Sequence, residues 1–216
     1  MSYTPEQIAD ALDYAVLNPL ATIEDIRHGC GFANKHCLQS ICVSTANVRW
    51  AASIHRNVSA VIGFPHGNAN PFAKHEEAKL AIHSGAKELD VVLNYGRYLG
   101  GDLTTIHHDL GGICEYAREH DVFVKAILET CHYTHKQIAD ACQRAAAEGV
   151  HWVKTSTGFS HGGATVEAVT VMLDAVKGCD VQVKASGGIK TYEDAAKFLN
   201  LGCTRLGASS FLELLP

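Results

Sequence analysis

Two lysines carry the strongest chemical signal in this 216-residue chain. Lys154 ends the apolar run Val150-His151-Trp152-Val153-Lys154, and Lys184 ends Val181-Gln182-Val183-Lys184. Each run then turns on glycine, through Ser156-Thr157-Gly158 in one case and Ser186-Gly187-Gly188 in the other. A charged amine inside an apolar strand is costly to desolvate, so proteins rarely accept one without a use for it. Two amines at matching positions on nearby strands would each depress the other's pKa. That is one way a lysine becomes a nucleophile near neutral pH. For either lysine alone, a strand end reaching solvent on an apolar stem is an equal alternative. The repeated pattern, with Asp90 and Lys125 in other apolar runs, shifts the balance toward chemistry.

The elements that must position these groups alternate along the chain. Strand candidates are Tyr14–Leu17, Ser40–Val43, Ser59–Gly63, Leu89–Leu93, Phe123–Leu128, Trp152–Lys154, Val181–Lys184 and Thr204–Gly207. Several are nearly continuous apolar runs, as strands covered on both faces must be. Helix starts lie between them. Thr4-Pro5-Glu6-Gln7 offers a cap, a proline in the first turn and a capping-box glutamine. Thr22…Asp25, Thr134…Gln137 and Thr191…Asp194 repeat that spacing, and Gly29, Gly149 and Gly202 suit helix stops. The connections are too long for hairpins and fit crossovers. The expected fold is an α/β (β/α)8 barrel, the TIM barrel, as one domain over 1–216 with a short N-terminal helix. A doubly wound open sheet is the alternative. No G-x-G-x-x-G follows the first strand, so a dinucleotide-binding version has little support.

In such a barrel, functional groups gather at the C-terminal ends of the strands. Glu88 and Asp90 interrupt the fourth strand and Lys125 the fifth. Period-two alternation puts Asp90 on the face opposite Leu89 and Val91. One carboxylate and three amines would then converge in one barrel mouth. Gly187-Gly188 after the seventh strand and Gly207-Ala208-Ser209-Ser210 after the eighth suit phosphate, held by backbone N–H groups and a following short helix. Glycine that only turns the chain is the plainer reading.

The remaining composition bounds the function more than it defines it. The chain is 47% hydrophobic and 19% charged, with net charge −5. That is ordinary for a soluble globular protein and argues against a nucleic-acid partner. The N-terminus lacks the apolar core of a signal peptide, and no segment is long enough for a membrane span. None of the eight cysteines forms a CxxC pair. Reduced thiols in a cytoplasmic protein fit best, with Cys42 a buried thiol on the second strand. Among the thirteen histidines, Cys131, His132 and His135 lie close in sequence and His107-His108 are adjacent. Neither set matches HExxH or a structural zinc spacing, so no metal site is expected.

Seven blocks together resemble one family. They are Val61-Ile-Gly-Phe-Pro-His-Gly67, Glu88-Leu-Asp-Val-Val-Leu-Asn94, Lys125-Ala-Ile-Leu-Glu-Thr130, Val153-Lys-Thr-Ser-Thr-Gly-Phe159, Gly162-Gly-Ala-Thr165, Val183-Lys-Ala-Ser-Gly-Gly-Ile189 and Arg205-Leu-Gly-Ala-Ser-Ser210. In order from about Ala60 to Ser210, they look like deoxyribose-phosphate aldolase, and the lysine blocks are the most specific.

The resemblance implies a class I, metal-independent aldolase that needs no cofactor. Its substrates would be a sugar phosphate and an aldehyde: 2-deoxy-D-ribose 5-phosphate cleaved reversibly to D-glyceraldehyde 3-phosphate and acetaldehyde. Lys154 would form the Schiff base and Lys184 would lower its pKa. Asp90 would shuttle protons through a water, and Lys125 would orient Asp90. Thr155, Gly158, Gly187, Gly188, Ser209 and Ser210 would hold the substrate and its phosphate. Dimers are common in the family, which makes a homodimer the expected assembly, although no interface is legible in the sequence.

Two departures stand out. Where many members read Leu/Ile-Asp-His-Thr near the N-terminus, this chain reads Leu12-Asp13-Tyr14-Ala15, a block expected to support the first strand. The sequence stops at Pro216, without the tyrosine-ended tail of some members, so that contribution is expected to be absent or replaced. A catalytically silent sugar-phosphate-binding barrel and a Schiff-base aldolase with another acceptor are the competing classes. The paired amines argue against the first, and the sequence discriminates poorly against the second.

Overall fold

Short apolar runs separated by capped helical segments become alternating strands and helices. The computed structural model describes residues 2–215. The strands are β1 (Leu12–Val16), β2 (Ser40–Ser44), β3 (Val58–Ile62), β4 (Glu88–Val92), β5 (Phe123–Ile127), β6 (Trp152–Lys154), β7 (Gln182–Ser186) and β8 (Arg205–Ala208). Each pairs in parallel with the next, and β1 pairs with β8, which closes the barrel. Closure excludes the open doubly wound sheet. The chain folds as a (β/α)8 barrel.

Helix α1 (Pro5–Ala11) precedes the first strand, and α2 (Ile23–Lys35), α3 (Val48–Ala52) and α4 (Pro71–His83) follow β1, β2 and β3. After β4 come α5 (Tyr95–Leu99) and α6 (Thr105–Glu119). Helices α7 (His135–Ala147), α8 (Val166–Ala175) and α9 (Tyr192–Leu201) complete the ring. Thr4, Thr22 and Thr134 each make the full reciprocal capping box that their spacing predicts, and Thr191 caps α9 by accepting from the Asp194 N–H. Such a cap stabilises a helix by about 1 kcal/mol, enough to fix where the crossover begins.

The alternation of the strands divides the buried residues into two sets. Outward residues such as Leu12, Ile41, Ala60, Leu89, Val124, Val153, Val183 and Leu206 pack into one apolar core beneath the helices. Inward positions carry Asp13, Ser40, Ser59, Glu88, Asp90, Lys125, Lys154, Lys184 and Arg205, all buried. The apolar layer therefore lies outside the barrel wall, and the barrel interior is largely ionic.

Most strand boundaries differ from the expected ones by a residue or two, and β6 alone coincides at both ends. β1 starts at Leu12 rather than Tyr14, and β7 continues through Lys184 to Ser186. The chain after β8 forms a short 3-10 turn at Leu212–Leu214, so Ser209 and Ser210 lie in the loop before it and open no α-helix. Among the described residues no helix is long and apolar enough to cross a membrane.

Candidate active site

Lys154 and Lys184 stand side by side, because parallel pairing of β6 with β7 puts them in the same register. Both amines donate to one oxygen of Asp90: Lys154 Nζ lies 2.7 Å and Lys184 Nζ 2.9 Å from Oδ2. The other carboxylate oxygen, Oδ1, accepts from Lys125 Nζ and from Ser59 Oγ, each at 2.8 Å. Lys125 sits opposite Asp90 in the β4–β5 register, so that contact is set by strand pairing alone. Asp90, Lys125, Lys154 and Lys184, singled out on separate strands, thus meet around one carboxylate.

A further layer lies deeper in the barrel, and the sequence reading did not assign it. Asp13 accepts from Lys184, from the Arg205 guanidinium and from Ser40 Oγ, the last at 2.6 Å. Arg205 reaches across to Glu88, with Nη2 to Oε2 at 2.9 Å, and Lys125 also donates to Glu88. Asp13 therefore does more than support the first strand: it holds Lys184 from below while Asp90 holds it from above. The available signal was a charged residue at the inward period of an apolar strand, as at Asp13 in β1 and Arg205 in β8.

The charges set one another's titration. Burial pushes the Asp90 carboxyl up, but Lys125, Lys154 and Lys184 outweigh it and hold Asp90 well below the usual carboxylate range. Asp13 and Glu88 are also lowered: burial opposes this, and it is overcome by Lys184, Arg205 and Lys125 at Asp13 and mainly by Lys125 at Glu88. Burial pulls Lys154 down, yet the Asp90 carboxylate more than offsets it, and Lys154 is raised. This corrects the expectation of a depressed Lys154. A second amine does stand beside it, but an ionised carboxylate stands between them. With all groups charged, Asp13, Glu88 and Asp90 face Lys125, Lys154, Lys184 and Arg205, leaving one positive charge in surplus.

Above the network opens a cavity of about 960 Å³. Lys154, Lys184, Cys42, Gly158, Gly187, Gly188 and Ser209 line it. Gly187 and Gly188 have φ of +85° and +78°, consecutive left-handed conformations that glycine adopts without strain. Gly207, inside β8, is required by space: a Cβ there would lie 2.9 Å from Ser186 Cβ and 3.3 Å from Lys184 Cε. Cys42 is a buried thiol whose pKa is raised, first by burial and then by Asp90, which fits an inert wall residue.

Two candidates for substrate contact lie elsewhere. Thr155 is fully buried and off the cavity wall. Its hydroxyl donates to Ser186 O at 2.8 Å and accepts from Ser186 N at 2.9 Å, latching the end of β6 to β7. Ser210 is likewise outside the cavity lining, next to Ser209, which is on it. Glu129, at the end of β5, is a buried residue in the left-handed region (φ +60°) whose carboxylate accepts from Thr157 N and Oγ1. It fixes Thr157, which does line the cavity.

Buried, mutually positioned lysines around a carboxylate, at the C-terminal mouth of a parallel barrel, are groups of the type that can support carbonyl chemistry and proton transfer. The family model described as DeoC/LacD family aldolase matches residues 8–211. A deoxyribose-phosphate aldolase of Treponema denticola is 38% identical over 208 residues, covering 94% of this chain and 96% of the relative. One from Thermococcus kodakarensis is 39% identical, covering 97% and 96%. Among solved structures, a protein of Coccidioides immitis superposes with a TM-score of 0.94 at 34% identity, covering 99% of this chain and 86% of the other. The tetrameric deoxyribose phosphate aldolase of Aeropyrum pernix gives 0.90 at 29%, covering 98% and 90%. Fold, charge network and near full-length similarity converge, and the chain belongs to the DeoC/LacD aldolase family.

Proposed function

We propose that this chain is a deoxyribose-phosphate aldolase that cleaves 2-deoxy-D-ribose 5-phosphate reversibly to D-glyceraldehyde 3-phosphate and acetaldehyde through a Schiff base on Lys154. The observation that carries this reading is the single Asp90 oxygen shared by Lys154 and Lys184.

Lys154, once neutral, adds to the C1 aldehyde of the open-chain sugar, and loss of water leaves a protonated imine. That cation draws electrons from the C2–C3 bond. As the C3 hydroxyl gives up its proton, the bond breaks, releasing glyceraldehyde 3-phosphate and leaving an enamine. Protonation at C2 restores the imine, and water then frees acetaldehyde and Lys154. Asp90, within reach of both amines, shuttles these protons through a water, with Lys184 as its donor. Lys125 keeps Asp90 oriented. Positive charge is conserved at Lys154 between ammonium and iminium, so Asp90 stabilises both. The surplus positive charge and the cavity wall at Gly187, Gly188 and Ser209 suit the phosphate. Eight free thiols support a reducing, cytoplasmic setting.

The test is covalent trapping. Acetaldehyde followed by borohydride should leave a reduced two-carbon adduct on the peptide containing Lys154. An unlabelled Lys154 would overturn the mechanism. A labelled Lys154 without cleavage of deoxyribose 5-phosphate would overturn the substrate assignment alone.

A further inference from the structure

A cluster of soft ligands stands outside the lysine network. Cys131 and His132 lie in the 3-10 turn Thr130–His132 after β5, and His161 lies in the loop after β6. One ligand atom from each falls within 4.8 Å of the others, and His161 Nδ1 is 4.0 Å from Cys131 Sγ. We propose that Cys131, His132 and His161 bind one divalent transition-metal ion of the zinc type at the rim of the barrel mouth.

The geometry is close to what such an ion needs. Zinc bonds of about 2.0–2.3 Å in a tetrahedron put ligand atoms roughly 3.3–3.8 Å apart. The three groups need to close by about 1.5 Å at most, which side-chain torsions supply. Their donor set, one thiol and two imidazoles, selects Zn2+, Co2+ or Cu2+ over Mg2+ and Ca2+. Three protein ligands leave a fourth position for water or an added anion. Coordination displaces the Cys131 thiol proton, which leaves to solvent.

The two loops are already fixed against each other. Thr130 N donates to Thr155 O at 2.9 Å, and Glu129 holds Thr157 through its backbone and hydroxyl. A Cβ on Gly162 would fall 2.6 Å from Cys131 Cβ, so the chain beside His161 presses directly on the cysteine. His132 is stacked on Tyr95, with centroids 4.9 Å apart at 17°. Ser160 Oγ lies 3.0 Å from His132 Nε2 and 3.6 Å from Cys131 Sγ, a polar neighbour to both. His161 is exposed, which gives an ion access from solvent. The sequence suggests His135 as the companion of Cys131 and His132. Instead His135 starts α7, and the third ligand comes from a separate loop. No local spacing motif could have shown this. Thr157, Gly158 and Phe159, in the same loop as His161, line the cavity. A bound ion would therefore brace one wall of the mouth.

Cobalt spectroscopy tests the site on the reduced, chelator-treated protein. Cys37 and Cys179 are exposed thiols, so the background carries Cys37→Ser and Cys179→Ser. One equivalent of Co2+ should produce a thiolate-to-cobalt charge-transfer band, and Zn2+ should abolish it. Cys131→Ser should remove the band. His161→Ala should weaken Co2+ binding at least tenfold. Melting curves without metal establish that each variant folds, and Zn2+ should raise the midpoint in the background protein but not in Cys131→Ser. Absence of the band in the background protein, or its survival in Cys131→Ser, would overturn the proposal.

Discussion

Asp90 is the residue on which the site turns, because one of its oxygens serves two amines at once. Its negative charge keeps Lys154 protonated at rest, raising that amine against the pull of burial. Removing the charge should therefore move Lys154 in a definite direction. In Asp90→Asn the neutral amine is favoured, so the pH midpoint of borohydride trapping at Lys154 should shift downward. On the proposed mechanism the same variant lacks its proton shuttle, and steady-state cleavage should fall by about 10²–10⁴-fold. Imine formation and turnover would then move oppositely at neutral pH. A trapping profile that does not move would show that Asp90 is not what holds the proton on Lys154.

At the scale of elements, strand register does the positioning, and small contacts between loops preserve it. Thr155 illustrates the division. It stands next to Lys154, yet its hydroxyl is engaged with both backbone groups of Ser186. Thr155→Val should cost about 1–3 kcal/mol by leaving those groups unpaired, read as a lower urea midpoint. KM for the phosphate ester should change less than in Ser209→Ala, whose side chain borders the cavity. A large KM effect with unchanged stability would return Thr155 to the substrate. The sequence makes most of this layer legible. Apolar runs and threonine caps locate the strands, and β6 falls at Trp152–Lys154 as expected. The sequence reading misses the start of β1, because Asp13 reads locally as a break. Its charge is balanced by Lys184 and Arg205, 171 and 192 residues away, so no window around Asp13 contains the reason it is buried. The same holds for Thr155: its neighbours suggest a binding loop, and only the β6–β7 contact shows a latch.

For the whole molecule, an ionic interior makes stability depend on pH. Asp13, Glu88 and Asp90 all have folded pKa values below their unfolded ones. Their contribution is fully present above about pH 5, and it is lost as pH falls through the unfolded range near 4 toward the folded values. Asp109 acts in the opposite sense, since burial raises it despite Lys74, and acid does not weaken its contribution. Three buried carboxylates against one predict a urea midpoint that falls steeply below about pH 5, after a shallower decline from about pH 6.5 as His55 and His151, both lowered chiefly by burial, take up protons. Each of the three adds up to about 1.4 kcal/mol per pH unit. A midpoint independent of pH between 3 and 7 would contradict the ion-pair account of the interior.

The order of strands around the barrel has one more consequence. Every carboxylate of the inner network, Asp13, Glu88 and Asp90, comes from β1 to β4, and every cation, Lys125, Lys154, Lys184 and Arg205, from β5 to β8. Cut at the exposed His120–Asp121 link, the chain separates into an acid-lined half and a base-lined half, each with its charges unmatched. Neither fragment should close alone, whereas a mixture should reassemble as opposite poles meet. Far-ultraviolet circular dichroism reports that union. Its signal should recover more slowly as ionic strength rises, because attraction between the two linings guides the encounter. A recovery rate indifferent to salt would mean that apolar contact alone brings the halves together.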